Sequence, residues 1–77
     1  MKLNYKNIEA MLDGKVFGCG TSEDGETVIV EFDGRDEDGD PIYKATWESK
    51  RTESRIWYVV HYYHKDGTVE EMFEHSL

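Results

Sequence analysis

The spacing of apolar residues changes at Gly14, and this change constrains the fold class. Before it, Ile8, Met11 and Leu12 recur at helical spacing, with Asn4 as an N-cap and Gly14 as a left-handed stop. After it, apolar and polar residues alternate, which is typical of half-buried strands. We therefore expect an α+β fold that is mostly β. It would have one short N-terminal helix followed by a five-stranded antiparallel meander, arranged as a curled sheet or a small open barrel.

The first two strands flank Asp24-Gly25, a dipeptide typical of a two-residue type I′ turn. This loop predicts three cross-strand pairs on one face: Thr21 with Val28, Cys19 with Val30, and Phe17 with Phe32. In that register Cys19 is buried. Gly18 and Gly20 then lie on the opposite face, where missing side chains favour close packing of the helix or a strongly bent strand.

Two further strands follow an acidic loop at residues 34–40. Pro41 opens a strand that continues to about Ser49, since proline is tolerated at the first position of a strand. The longest strand runs from about Arg55 to His64 and carries apolar or aromatic residues on both faces. Such a strand is central in its sheet, with both faces covered or with one face used for recognition.

The second hairpin has two possible registers around Asp66-Gly67. A two-residue loop pairs His61 with Met72, whereas a three-residue loop with Gly67 as a bulge pairs His61 with Glu71. The choice decides which aromatic face is core and which is available to a partner.

Negative charge is concentrated in one segment. The 77 residues contain 17 Asp and Glu against 9 Lys and Arg, a formal net charge of -8. Residues 23–40 hold nine of these acids and one base, Arg35, so this stretch alone sums to -8 and the rest sums to zero. Acidic residues that simply keep exposed turns solvated are one explanation. Repulsion among so many neighbouring acids destabilises a fold, and it is tolerated more readily when the negative electrostatic field serves a function.

Length and cysteine content limit the organisation of the chain. Seventy-seven residues predict one domain spanning 1–77. The lone Cys19 excludes an intramolecular disulfide and fits a reducing compartment. No apolar run reaches eight residues, which argues against a transmembrane helix or a signal-peptide core, so we expect a cytoplasmic protein without membrane contact.

Neither the histidines nor the nucleophiles form a catalytic pattern. His61 and His64 are three apart in a strand and point to opposite faces, so they cannot bind one metal ion. His64 and His75 share a face in only one of the two registers. Cys19, if buried, has a raised pKa and is inert. The chain is therefore expected not to be an enzyme, with no catalytic residue, metal or cofactor.

The acidic loop has part of a calcium-binding pattern. Asp36, Asp38 and Asp40 stand at alternate positions, as in an EF-hand loop. Pro41 stands where that loop needs glycine, and Trp47 where it needs a bidentate glutamate. The pattern therefore favours a solvated acidic loop over a calcium site.

Aromatic and basic residues are mixed through residues 43–65, as on surfaces that stack single-stranded nucleic acid. The net charge of -8 argues against direct nucleic-acid binding, because it repels a polyanion. An acidic surface instead suits a basic surface on another protein. In size and charge the chain resembles the small acidic inhibitors that phages encode, such as DNA mimics and anti-CRISPR proteins.

The sequence thus predicts a non-enzymatic binding module, an inhibitor or modulator that places an acidic face on a nucleic-acid-handling protein or complex. The alternative is an assembly module that forms a homo-oligomer through an exposed strand edge or an aromatic sheet face. Across these two hypotheses, the chain is expected to be a monomer or a homodimer. The predicted partner-binding residues are Glu23, Asp24, Glu26, Asp33, Asp36, Glu37, Asp38, Asp40, Trp57, Tyr63, Glu70 and Glu74.

Overall fold

The computed structural model contains one helix and an open antiparallel sheet. It describes residues 3–22 and 24–76, with side chains described as far as Met72. The elements are α1 Tyr5–Leu12, β1 Phe17–Thr21, β2 Thr27–Arg35, β3 Pro41–Arg51, β4 Ile56–Tyr63 and β5 Val69–Ser76. The strands lie in the order β1-β2-β3-β4-β5. The predicted class is confirmed, with β1 and β5 as the edges of a sheet that does not close.

Helix α1 begins and ends on local signals. Asn4 is extended and its side-chain Oδ1 accepts a hydrogen bond from the Asn7 amide at 2.9 Å, which confirms it as the N-cap. The helix ends one residue earlier than predicted. Asp13, with φ +49°, is the left-handed cap, and its amide donates to the Glu9 carbonyl at 3.0 Å. Gly14 also has positive φ, so it directs the chain into β1 rather than ending the helix.

The core forms where α1 covers one face of the sheet at β1, β2 and β3. Ile8 and Leu12 are the helix residues that the core buries. They pack in one cluster with Val28, Val30, Tyr43, Ala45 and Tyr63. Full burial of each large aliphatic side chain contributes about 1.5 to 3 kcal/mol, which holds this two-turn helix in place. We call the side of the sheet under α1 the helix face and the opposite side the uncovered face.

The register of the first hairpin differs from the prediction by one residue. Phe17 pairs with Glu31, Gly18 with Val30, and Cys19 with Ile29. Gly18 and Gly20 therefore lie on the helix face, where a Cβ at Gly18 would stand 3.4 Å from the Met11 carbonyl oxygen. The predicted close approach of the helix to these glycines is correct, whereas the predicted burial of Cys19 is wrong: Cys19 is exposed.

Three hairpins share one loop type, an Asp-Gly turn that spans three residues. The amide of Gly25, Gly39 or Gly67 donates to the carbonyl three residues earlier at 3.0 Å, and each glycine has positive φ. This geometry is a type I turn followed by a left-handed bulge residue. The same loop explains both register outcomes. The β1–β2 hairpin is shifted by one residue from the predicted register, and the β4–β5 hairpin adopts the alternative that pairs His61 with Glu71.

Strand β4 carries apolar or aromatic residues on both faces, as predicted. Val59 and Val60 point to opposite faces of β4 and are both buried. Val60 is 1% exposed although it lies on the uncovered face, opposite Thr46 of β3 and Met72 of β5. Neighbouring strands alone therefore exclude water from the middle of this face.

Candidate functional site

The loop between β2 and β3 gathers three carboxylates. Oxygen atoms of Asp36, Asp38 and Asp40 all lie within 4.8 Å of one another. Asp36 Oδ1 accepts hydrogen bonds from the amides of Asp38 at 2.9 Å and Asp40 at 3.0 Å, so this side chain holds the loop in shape. Asp38 and the neighbouring Glu37 are exposed. We call residues 33–40 the acidic end.

Two cations neutralise part of this charge. The Arg35 guanidinium donates from Nη1 to the Gly39 carbonyl at 2.8 Å, and Lys65 Nζ lies 3.4 Å from Asp40 Oδ1. Lys65 comes from the β4–β5 hairpin, which the meander places beside the β2–β3 loop. The Asp33 side chain has neither an ion pair nor a hydrogen bond within the described part of the chain. The acidic end therefore keeps a net negative charge.

The acidic stretch of the sequence is not one surface. Asp24 and Glu26 lie just before β2, whereas Asp33 lies near its end and the loop follows it. The nine residues of β2 span about 30 Å at ~3.3 Å per residue, so the two groups stand at opposite ends of the sheet. The predicted partner-binding acids of this stretch therefore form two separate groups, and only a partner with a large footprint could contact both. Glu23 lies outside the described residues.

A hollow on the uncovered face adjoins the acidic end. Its volume is about 260 Å³, and it is lined by Asp33, Ile42, Tyr62, His64 and Glu70. His64 Nε2 lies 3.4 Å from Glu70 Oε1. The hollow is smaller than the roughly 300 to 1,000 Å³ that is common for small-molecule sites, so one side chain of a partner suits it better than a cofactor. Predicted residues Asp33 and Glu70 therefore come together here, although 37 positions separate them.

The two predicted aromatic anchors are not on this surface. Tyr63 is 4% exposed, belongs to the core cluster and has its hydroxyl 3.1 Å from His61 Nδ1. Burial raises the pKa of Tyr63. Its prediction as an exposed anchor is wrong, because α1 and the inner side of β4 share one core. Trp57 is partly buried, with Lys50 Nζ 5.0 Å from its ring. The side chain of Glu74 lies outside the described range, and its backbone pairs with Tyr58.

Sequence reasoning missed the apolar residues of the uncovered face. The most exposed of them are Phe17, Ile29 and Met72, at 54%, 41% and 46%. Tyr62 is partly buried there, and Lys44 Nζ lies 6.0 Å from its ring and 3.7 Å from Glu31. The alternation in the β1 sequence shows that Phe17 and Cys19 share a face, but only the correct register shows that this is the uncovered face.

A larger cleft of about 670 Å³ lies between the start of α1 and the ends of two hairpins. Lys6, Lys65, Glu9 and Asp40 line it together with Tyr5. Opposite charges are mixed here, and Lys65 is already beside Asp40. This arrangement selects neither an anion nor a cation.

The residues considered for chemistry stay apart. His61 lies on the helix face beside Glu71, at 3.7 Å, whereas His64 lies on the uncovered face beside Glu70. Cys19 has no histidine or carboxylate opposite it in the β1–β2 pairing. Asp36, the most constrained carboxylate of the acidic loop, is occupied by two backbone amides. We find no pairing of nucleophile and base among the described side chains.

Among the described residues, α1 is far too short and polar to cross a membrane, and no other helix is present. No protein-family model, curated protein or solved structure matches this chain.

Proposed function

We propose that this chain is a non-enzymatic binding module whose acidic end docks on a basic surface of another protein. The observation that carries the proposal is the group of three carboxylates within 4.8 Å in the β2–β3 loop. Lys65 contacts Asp40, whereas the exposed Glu37 and Asp38 form no ion pair among the described residues. A cationic surface would relieve their repulsion and be steered to them by the local field.

The preferred target is a protein or complex that handles nucleic acid. Such proteins carry lysine and arginine side chains placed to neutralise closely spaced phosphates. Closely spaced carboxylates on a loop that is held by the Asp36 side chain present the same sign of charge in a fixed geometry. Binding would block the nucleic-acid site, so the module would act as an inhibitor or modulator, comparable in kind to a DNA mimic or an anti-CRISPR protein.

The hollow beside the acidic end supports the same proposal. Long-range charge raises the rate of encounter, whereas most binding energy comes from a few desolvated contacts. Ile42 and Tyr62 provide an apolar floor between two carboxylates, Asp33 and Glu70. A lysine or arginine of the partner can place its aliphatic stem on that floor and its charged group between the acids.

Two triple variants with the same charge change test the proposal. Glu37→Gln, Asp38→Asn and Asp40→Asn neutralise the acidic end and keep Asp36, which shapes the loop. Asp24→Asn and Glu26→Gln, just before β2, and Glu53→Gln, between β3 and β4, remove three negative charges at the opposite end. Each set changes the net charge from -8 to -5. Equal net charge means that any difference between the sets reports position.

The binding assay uses a partner that is first captured on the immobilised chain from a lysate of the cells in which the chain naturally occurs. The partner is then purified. We expect the acidic-end variant to weaken binding by at least about tenfold at low salt, and the opposite-end variant to leave it within about twofold. Duplex DNA or RNA should compete for the same partner, and added salt should release the complex. Equal effects of the two variants, or a partner that binds nucleic acid and this chain simultaneously, would contradict the proposal.

A further inference from the structure

The two edges of the sheet are protected differently. Edge strands expose unpaired backbone groups, and proteins usually blunt them with charged side chains, proline or bulges. β5 carries the exposed acids Glu70 and Glu71 at adjacent positions, hence one on each face. β1 has no charge, proline or bulge, and Val16 and Phe17 at its start are 70% and 54% exposed. β1 is therefore the unprotected edge.

The hydrogen-bond pattern shows which backbone groups β1 offers. The Phe32 amide donates to the Val16 carbonyl at 2.9 Å, and the Ser22 amide donates to the Glu26 carbonyl at 2.8 Å. The pairing between these points has no shift, so the even-numbered residues of β1 bond to β2. The N–H and C=O groups of Phe17, Cys19 and Thr21 consequently point away from the sheet.

We infer that β1 pairs antiparallel with β1 of a second copy, around a two-fold axis at Cys19. In this register, Phe17 of one copy lies opposite Thr21 of the other, and Cys19 lies opposite its own equivalent. Each of the three outward residues then donates one backbone hydrogen bond and accepts one. The pairing is isologous, and the two sheets join into one.

Charge favours a second copy as the occupant. Residues 16–22 carry no charge, so the acidic segments do not meet at the axis. Antiparallel pairing brings Lys15 of each copy beside the turn of the other, which carries Asp24 and Glu26. It also directs the two acidic ends to opposite sides of the dimer. The pairing uses none of the acidic-end residues, so it goes beyond the proposed function and holds or fails independently of it.

Sedimentation velocity of edge variants tests this inference. Thr21→Pro removes an outward N–H and leaves the hydrogen bonds between β1 and β2 in place. Phe17→Lys puts a charge on the edge. Ile29→Lys is the control, since it also replaces an exposed apolar side chain by lysine on the same face, but in β2 rather than on the edge strand. The wild type and Ile29→Lys should form dimers. Each edge variant should raise the dimer dissociation constant by about tenfold or more.

Cross-linking at Cys19 tests the register. Hydrogen-bonded antiparallel pairs have Cα atoms about 5.5 Å apart, within the range of roughly 4.4 to 6.8 Å for a disulfide. Diamide takes two electrons and two protons from two thiols, and should convert the wild-type dimer into a covalent one. Thr21→Pro should lower the yield of cross-linked dimer at least about fivefold.

Circular dichroism checks that each variant is folded. The two edge variants are independent tests, so if one of them misfolds, the other still shows whether the β1 edge forms the dimer contact. A wild type that stays monomeric at all concentrations would overturn the inference. So would a dimer that survives both edge substitutions and is lost in Ile29→Lys, because that result would place the contact on the uncovered face.

Discussion

The Tyr43 hydroxyl donates a hydrogen bond to Glu9 Oε2 across 3.4 Å, so β3 is tied to the middle of α1. The Tyr5 ring lies 4.9 Å from the Tyr43 ring, centroid to centroid. Burial, followed by the neighbouring Tyr5 and Glu9, raises the pKa of Tyr43 from 10.0 to about 12. The polar contact between helix and sheet is therefore made by the neutral phenol.

The raised pKa predicts a loss of stability at alkaline pH. A group with a folded-state pKa above its unfolded value contributes stability that is complete below pH 10 and lost as pH rises towards about 12. Tyr43→Phe cannot ionise, so it should lose less stability than the wild type over this window. At pH 7 the substitution should cost below about 1 kcal/mol, since it removes one long hydrogen bond to an exposed carboxylate.

Urea unfolding at pH 7 and at intervals between pH 10 and pH 12 measures the difference, and absorbance of the phenolate follows the titration. Tyr62→Phe, on the uncovered face, controls for loss of any one tyrosine. Parallel pH profiles for wild type and Tyr43→Phe would show that Tyr43 has no role in alkaline unfolding.

The contact between Gly20 and Met11 predicts a coupled pair. A Cβ at Gly20 would lie 2.5 Å from Met11 Sδ and 2.9 Å from its Cε, so the thioether must move to admit alanine. Gly20→Ala should therefore destabilise the protein by about 1 kcal/mol, although alanine usually suits a strand better than glycine. In a Met11→Ala background the obstacle is absent, and the same substitution should be neutral or stabilising.

A double-mutant cycle on urea unfolding gives the coupling energy of the pair. Gly18→Ala is the matched control, because its new Cβ would meet no atom closer than 3.4 Å. An equal cost for Gly20→Ala with and without Met11 would show that the strand itself, and not the helix contact, requires glycine.

The sequence predicts well what local chemistry decides. Asn4 identifies the start of the helix because its side chain bonds within one turn. The strands follow from alternation, and Pro41 opens β3 as expected. The predicted register of the first hairpin is wrong because an Asp-Gly dipeptide suits both two-residue and three-residue loops. The close approach of Met11 in α1 to Gly20 in β1 joins residues from different elements, so the local sequence does not show it.

The candidate site divides in the same way. The composition of residues 33–40 predicts an acidic loop, since a run of acids and glycines favours a turn regardless of the tertiary structure around it. Its distance from Asp24 depends on the length and straightness of β2. Tyr63 looked equivalent to Tyr62 in sequence, because β4 is aromatic on both faces. The position of α1 decides that Tyr63 belongs to the core and Tyr62 to the uncovered face.

The shared hairpin loop predicts a graded response at Gly67. Its φ of +94° lies in the left-handed region, and a Cβ there would meet nothing within 4 Å, so the cost of substitution is conformational rather than steric. Gly67→Ala should destabilise the protein by about 1 to 2 kcal/mol. Gly67→Asn should cost less, because asparagine enters this region more readily. Thermal unfolding of the two variants measures the order. A lower stability for Gly67→Asn than for Gly67→Ala would contradict the assignment of a left-handed bulge residue.

Asp66, next to this glycine, predicts the behaviour of the second hairpin in acid. The Thr68 amide donates to Asp66 Oδ1 at 2.8 Å, and this hydrogen bond lowers the pKa of Asp66 below its usual 3.8. A lowered folded-state pKa contributes stability that is present above the unfolded value and lost as pH falls through the folded one. Asp66→Asn keeps the acceptor oxygen but does not titrate, so its stability should fall less than that of the wild type below about pH 4. Asp66→Ala removes the acceptor and should be less stable than Asp66→Asn at every pH. Urea midpoints from pH 2 to pH 7 compare the three proteins, and identical acid profiles for wild type and Asp66→Asn would show that the carboxylate charge does not stabilise the turn.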